Sequence, residues 1–583
     1  MTLPPQSNLF AVRSEDPQFR ERLLRHLRAR NEFAEIWEPA PGWIAAAAPV
    51  PDSVPDDATV RGLGLAFAEG RHRIAASQAG DPAAAFQRLA ELADRAPDQL
   101  AQMPGDFTFL RFRPGGGVSA VRACAGLAPI YWREHKAGLA LGTRLEYLVR
   151  YLPDANELDP LPNAMWMTGR AGFPDGRTFI RGLYALERAT CLTFAPNGES
   201  ARTRYWSPRQ RRLPWPDDDA IAAHVTRLRE LVIESLTTQL STGEGNLLTL
   251  SGGVDSSTLG AVAGGIVGRK FACWSMLAAP EEEYLKERAF IDEIVQRFGV
   301  ERRWDMRLTR DARLRLMQTS APIVFHVMLP VLCCLPALKR EAPIKVVFGG
   351  EYADTICGAY VTMPDWIAQT PLWRLLAGWQ TLPNGPRDFA RWLKHRLLAA
   401  AGRPAIPLLP ELPELFAQPV RDEYRDWYVG QQRRRAEDSL PWSYRTASLQ
   451  WSEFTTQSWE ACTALGVRRC FPFFSREMLE LAHAMHPSEL LGPGHKKPLR
   501  SAFHEVVPHR NLYRRDRGYY AQHLQEEITA PPATLSNRLA QTLRPDWVPT
   551  PPAQVRHFFA CTLAQLNLLC AHVDAVWQDT NSH

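Results

Sequence analysis

Hydrophobic and polar positions divide the chain into two regimes. Up to about residue 205, short apolar segments alternate with turn signals. Residues 106–112 (Asp-Phe-Thr-Phe-Leu-Arg-Phe) show partial period-two alternation. Arg113-Pro114-Gly115-Gly116-Gly117 follows, then a second run at 118–121, which together predict a hairpin with a longer loop. Further strands are expected at 130–132, 139–142 and 191–194, and helices at 17–30 and 83–95. Residues 207–219, rich in proline and charge and ending in Asp217-Asp218-Asp219, break this pattern and open a helix. Beyond them strand and helix alternate: helix 219–240, strand 246–250, a glycine turn, helix 255–267, strand 270–277, helix 283–298, a buried apolar segment at 324–338, and strand 345–348 ending in Gly349-Gly350. Such alternation predicts a parallel sheet flanked by helices, with ligands at the carboxyl ends of its strands. The expected organisation is two domains, 1–206 and 207–583, with a Pro-rich surface loop at 403–420.

Composition narrows the class. The 583 residues are 45% hydrophobic and 22% charged, which excludes disorder, collagen and a disulfide scaffold for the chain as a whole. Sixty-eight Lys and Arg against 63 Asp and Glu leave +5, too weak a field for a dedicated nucleic-acid binder. The longest apolar run, 327–338, is interrupted by Pro330 and Pro336 and falls short of the ~20 residues a spanning helix needs. Met1-Thr2-Leu3-Pro4-Pro5 has no secretory pattern. The ten Cys form no Cys-x-x-Cys pair, and Cys333-Cys334 lie in the apolar run. The expectation is a reduced, cytoplasmic protein without a zinc site or a transmembrane segment.

The chemistry concentrates in Leu250-Ser251-Gly252-Gly253-Val254-Asp255-Ser256-Ser257. A buried strand runs into two glycines, which let backbone N–H groups turn toward an anion, and a helix N-terminus follows. Hydroxyls on Ser251, Ser256 and Ser257 add donors. Asp255 would repel a naked phosphate, so it implies a bridging Mg²⁺, which takes one or two carboxylates plus phosphate oxygens. No Gly-x-x-x-x-Gly-Lys-Ser/Thr string, the grip for a γ-phosphate, exists in the chain.

Ser-Gly-Gly-Val-Asp-Ser-Ser resembles the pyrophosphate loop of ATP pyrophosphatases, which adenylate a carboxylate or carbonyl. Val347-Phe348-Gly349-Gly350-Glu351-Tyr352-Ala353-Asp354, with Gly358-Ala359-Tyr360 after it, is similar to the Ser-Gly-Glu-Gly-Ala-Asp-Glu segment of asparagine synthetases at Gly350, Glu351, Ala353 and Asp354. That resemblance implies a second Mg²⁺ ligand at Asp354. Arg468-Arg469-Cys470-Phe471-Pro472-Phe473-Phe474-Ser475 resembles the family's Arg-x-Pro-Phe-Leu-Asp, with one extra residue and Ser475 in place of Asp. Lys496-Lys497-Pro498-Leu499-Arg500 resembles Lys-x-x-Leu-Arg, which makes Lys496 the implied catalytic lysine. Upstream, Gly105-Asp106-Phe107-Thr108-Phe109 and Arg122-Ala123-Cys124-Ala125-Gly126 are similar to the family's glutaminase half. The implied fold class is an α+β glutaminase-like domain, an Ntn-type sandwich, followed by an α/β ATP-pyrophosphatase domain.

The departures are informative. The working amidotransferase uses a Cys directly after the initiator Met; here Thr2 stands there, and no Cys precedes Cys124. The glutamine-binding Asn-Gly-Glu string is replaced by Ala68-Glu69-Gly70-Arg71-His72. Glutamine hydrolysis is therefore expected to be lost. The resemblance then points to the lasso-peptide cyclase (macrolactam synthetase) branch: ATP and Mg²⁺ as cofactors, a precursor peptide as substrate, and a leader peptidase as maturation partner. The expected site comprises Ser251, Gly252, Gly253, Asp255, Ser256, Ser257 and Gly350 for ATP, Asp255 and Asp354 for Mg²⁺, and Lys496 and Glu351 for catalysis. The basic strings Arg468-Arg469 and Arg514-Arg515-Asp516-Arg517 would suit a peptide. Alternatives are a β-lactam or carbapenam-type synthetase, disfavoured by Glu351 where those enzymes carry Tyr, and an ammonia-dependent asparagine synthetase. A tRNA-modifying pyrophosphatase and a dead scaffold fit the clusters less well.

Overall fold

The computed structural model describes residues 9–29, 33–47, 62–70, 81–103, 105–135, 138–152, 157–167, 174–207, 216–276, 281–306, 330–357, 416–436, 458–490 and 496–514, with a few isolated positions between them. Thr2, Arg71-His72, Gly358-Ala359-Tyr360, Arg515-Asp516-Arg517 and most of 403–420 lie outside them.

The first half holds two antiparallel sheets. One contains β1 (Leu9–Arg13), β2 (Glu35–Trp37), β3 (Trp43–Ala47), β7 (Tyr131–His135), β8 (Gly138–Gly142) and β9 (Tyr184–Ala185) in the order β2-β3-β1-β8-β7-β9. The other contains β4 (Leu65–Glu69), β5 (Thr108–Phe112), β6 (Val118–Arg122), β10 (Thr190–Phe194) and β11 (Ser200–Arg204) in the order β11-β10-β6-β5-β4. The expected hairpin is β5–β6, its loop closed by Arg113 N donating to Gly117 O at 2.9 Å.

Strand alternation sorts the side chains into layers. Leu9 and Ala11 of β1, Trp43 and Ala45 of β3, Leu110 and Phe112 of β5, and Val118 and Ala120 of β6 form the core between the sheets. Phe10, Val12, Ile44 and Ala46 face the other way, toward Leu23 and Leu27 of helix Pro17–Ala29. Phe109 and Val121 meet Phe86 and Leu89 of helix Pro82–Arg95. The result is four layers, helix, sheet, sheet and helix.

The second half carries β12 (Asn246–Thr249), β13 (Ala272–Met276), β14 (Arg303–Met306), β15 (Val346–Phe348) and β16 (Arg468–Cys470), all parallel, in the order β14-β13-β12-β15-β16. Helix Asp218–Gln239 precedes them, capped by Asp217, which accepts from Ala220 N at 2.8 Å. From β12 the chain steps outward through β13 to β14, then returns to the opposite side of β12 as β15. The direction of winding thus reverses between β12 and β15, which puts the ligand crevice at their carboxyl ends. The helix expected at 255–267 is α-helical over Val254–Ala261 and continues as a π turn at Val262–Ile266. Gly264 and Gly265 allow it: a Cβ on either would lie 3.0 Å from Phe298. The described part of the apolar segment forms helix Pro330–Glu341, with Pro330 in the first turn, where its missing N–H is harmless, and Pro336 inside; 324–329 lie outside the described residues.

One apolar cluster runs through both halves, from the sheet-to-sheet core to Leu228, Trp459 and Phe471. Buried polar contacts stitch the same seam. Trp459 Nε1 donates to Glu69 Oε2 at 2.9 Å, Tyr131 Oη to Glu460 Oε1 at 3.0 Å, and Arg122 Nη2 to Thr456 Oγ1 at 2.6 Å. Among the described residues no helix is long and apolar enough to cross a membrane. Cys124, Cys191, Cys273, Cys334, Cys357, Cys462 and Cys470 are free and buried. Trp459→Phe should leave the buried Glu69 carboxylate without this donor and cost about 1–3 kcal/mol. Urea unfolding monitored at two wavelengths checks this; an unchanged midpoint would show that the seam is not held by this bond.

Candidate active site

Three separate segments meet at the carboxyl ends of β12 and β15. The first is the turn after β12. Gly252 has φ +69°, and a Cβ there would sit 2.8 Å from Phe290 Cβ, so only glycine can make the turn. Gly253 caps helix Val254–Ala261. Ser256 Oγ accepts from Ser251 N at 3.2 Å and lies 3.1 Å from Ser251 Oγ, which holds the loop in a tight arc. Ser257 is buried; its Oγ accepts from Asn511 Nδ2 at 2.9 Å, and the same amide donates to Phe290 O at 2.8 Å. Ser257 thus braces the loop from behind.

The second segment follows β15. Gly350 packs on the first loop so closely that a Cβ would lie 2.5 Å from Asp255 Cβ and 3.2 Å from Ser256 N. Tyr352 adopts a left-handed conformation, φ +72°, and its ring stacks on Phe474 at 4.2 Å and meets Phe471 edge-on at 5.8 Å. The aromatic run after β16 is therefore the floor of this turn. Ser475 does what an Asp would do at its position, capping helix Arg476–Ala484 through Met478 N at 3.1 Å.

The third segment brings Lys496, also left-handed at φ +56°, as the residue before helix Lys497–Phe503. Its ammonium forms ion pairs with Asp255 Oδ2 and, at 2.7 Å, with Asp354 Oδ1. Its neighbour Lys497 is exposed. Burial pushes the Asp255 carboxyl up to about 6, with Lys496 opposing and Asp354 adding to the shift. Burial works against the charge on Lys496, but Asp255 and Asp354 together overcome it and raise its pKa. Arg500, one turn onward and buried, has its pKa lowered by burial, with Asp255 opposing.

Asp255 Oδ1 is buried and, among the described residues, has no hydrogen-bond partner. An orphaned carboxylate oxygen beside a glycine loop fits a hard cation. No group of three or more His, Cys, Asp or Glu able to hold a metal occurs among the described residues. Two carboxylates completed by phosphate oxygens and water match the habit of Mg²⁺. Glu351 lies one residue beyond Gly350, paired with Arg469 of β16.

These three segments fall within the stretch matched by one family model, described as asparagine synthase, which covers residues 227–570, more than half of the chain. The chain belongs to the asparagine synthase family. No curated protein matches it. The family is one of ATP-dependent amide-forming ligases, and membership implies use of ATP, with Mg²⁺ typical.

Some expectations need correction. Arg468 and Arg469 do not offer a basic face to a peptide: Arg468 Nη2 donates to Gln239 O at 2.5 Å, and Arg469 is buried against Glu351. Arg514 is likewise buried, paired with Glu287 at 3.3 Å. Asn511 and Arg500 complete the site, and only the residue string around Arg500 carried any signal of this.

Asp255 also sets a pH dependence. Its folded pKa of about 6 exceeds the ordinary 3.8, so the folded state holds the extra proton between these values. Its contribution to stability is present below the lower value and lost as pH rises through about 6. Asp255→Asn should remove that part of the slope, read as unfolding free energy against pH; an unchanged slope would show that burial does not perturb this carboxyl.

Proposed function

We propose that the chain closes a macrolactam in a precursor peptide. ATP adenylates an Asp or Glu side chain, and the peptide's N-terminal amine then attacks it. The observation that carries the ligase chemistry is the convergence of Lys496, Asp255 and Asp354 where the sheet reverses its winding. The reading of residues 1–206 as a degenerate, Ntn-type glutaminase-like domain beside a synthetase domain, 207–583, is supported by the four layers and by Glu69. This acid stands in Ala68-Glu69-Gly70, where a glutamine-binding string is expected, yet it is buried and committed to Trp459. An amine other than glutamine-derived ammonia is then needed, and the peptide's own terminus supplies one.

In this mechanism the phosphates of ATP lie on the glycine turn, met by backbone N–H groups and the hydroxyls of Ser251 and Ser256. Asp255 and Asp354 would hold Mg²⁺, which supplies positive charge to the phosphate oxygens when bound. A carboxylate oxygen of the substrate attacks the α-phosphorus, and the bond to pyrophosphate breaks, leaving an acyl-AMP. Lys496 offsets negative charge on the phosphate and on the tetrahedral oxyanion. As the amine adds, Glu351 takes its proton, the C–N bond forms and AMP departs. Holding both ends of one peptide together supplies orientation. A leader peptidase that exposes the amine is the partner this chemistry calls for.

With a precursor peptide as substrate, the products should be AMP, pyrophosphate and a peptide lighter by one water; ADP would refute the ligase chemistry. Asparagine made from aspartate and ammonia, or a β-lactam made from a small amino acid derivative, would replace the cyclase reading. Glutamine should not be hydrolysed during turnover. Asp255→Asn should block adenylate formation by ~10²–10³ or more, since it removes a charge-stabilising ligand. Lys496→Ala should keep some pyrophosphate exchange while making little cyclic product, with Lys497→Ala nearly normal. A dead Lys497→Ala beside a working Lys496→Ala would move the catalytic role by one residue.

A further inference from the structure

We propose that Arg469 is a positioning residue for the amide-forming step, holding Glu351 by one carboxylate oxygen so that the other is directed at the incoming amine. The inference rests on the ligase reading above and adds a residue to it. Arg469 lies on β16, next to β15, and its side chain is only 1% exposed. Strand alternation turns Arg468 away, to Gln239, and aims Arg469 at the turn after β15. Its guanidinium sits over the Phe471 ring at 5.0 Å and donates through Nη2 to Glu351 Oε1. Glu351 Oε2 is buried and has no hydrogen-bond partner among the described residues.

The space around that oxygen is kept by glycine. A Cβ on Gly349 would lie 2.5 Å from Glu351 Oε2, and Gly350 on the other side touches Asp255. Tyr352, left-handed and stacked on Phe474, fixes the backbone just beyond. Glu351 is thus gripped on one oxygen, while the other is buried beside Gly349 without a partner among the described residues, next in sequence to the Gly350 that packs on Asp255. A planar guanidinium with an aromatic seat fixes direction as well as charge, which an ammonium does not.

The chemistry needs that direction. A peptide α-amine has an ordinary pKa of about 7.7–8.0, so at pH 7 most of it is the ammonium, which must give up one proton before its nitrogen can attack and a second as the amide forms. The first of these passes to Glu351 Oε2; the nitrogen then bonds to the acyl carbon, the acyl C–O bond to AMP breaks and the second proton leaves to water, so atoms and charge balance. Hydroxylamine, already neutral at pH 7, skips the first deprotonation, the one assigned to Glu351.

The test uses the full chain with ATP, Mg²⁺ and a panel of synthetic peptides, each with a free N-terminal amine and one Asp or Glu. Pyrophosphate exchange, hydroxamate formation from added hydroxylamine, and cyclic product are measured together. Arg469→Lys should keep exchange and hydroxamate within about threefold while cyclic product falls ~10²-fold, the lower range for a lost proton acceptor. Phe471→Leu, which removes the aromatic seat and leaves the charge, should show the same split in smaller degree. Adding Arg469→Lys to Glu351→Gln should cost nothing further in cyclic product, because both act through one group. A parallel fall in all three readouts, or losses that multiply in the double variant, would overturn the inference. A folded wild type that exchanges pyrophosphate with no peptide would defeat the cyclase reading itself, a failure visible before any substitution is made.

Discussion

The Lys496 ammonium, shared between Asp255 and Asp354, is the interaction on which the rest of the site depends. It joins the turn after β12, the turn after β15 and a segment more than a hundred residues further on. Each turn is built to allow that approach: Gly252 provides the left-handed bend, and Gly350 lets the second turn lie against Asp255. The largely buried Lys496 ammonium and Asp255 carboxylate offset each other's desolvation, and the half-exposed Asp354 adds a second negative charge to the pair. The sheet order β14-β13-β12-β15-β16 places the two turns side by side. A winding that did not reverse at β12 would have separated them.

The site was more legible in the sequence than the fold around it. A glycine pair after a strand, an acid at a helix start and a second acid after another strand are local patterns with local causes, and Ser251, Asp255, Asp354 and Lys496 all fall within one crevice. Helix Asp218–Gln239 announced itself through its acidic start, and the β5–β6 hairpin through its glycine loop. Strands β1, β3 and β4 gave no such signal. Both of their faces are buried, one between the sheets and one against a helix, so Leu9–Arg13 and Trp43–Ala47 lack the apolar–polar alternation that marks a half-exposed strand. Strand β16 was hidden for the opposite reason: Arg468 and Arg469 look like surface charge until their partners Gln239 and Glu351, far off in sequence, are in place. Asn511 belongs to the same class, since its role is defined by Ser257 and Phe290.

The first half of the chain is coupled to the site through packing. Phe471 and Phe474 floor the turn that carries Glu351 and Asp354, and Arg188 from the first half lies over Phe474 at 5.0 Å. Trp459, held by Glu69, belongs to the same apolar cluster as Phe471. The antiparallel layers therefore act as a wall against which the second turn is set. This gives them a physical use that requires no glutamine chemistry.

Asp255 and Asp354 are proposed to make the crevice a site for a metal–nucleotide pair. Calorimetric titration of ATP, with and without Mg²⁺, into the wild type, Asp255→Asn and Asp354→Asn tests this without any knowledge of the peptide. Mg²⁺ should tighten ATP binding to the wild type at least tenfold, ~1.4 kcal/mol, and each substitution should abolish that dependence. Undiminished Mg²⁺ dependence in both variants would contradict it.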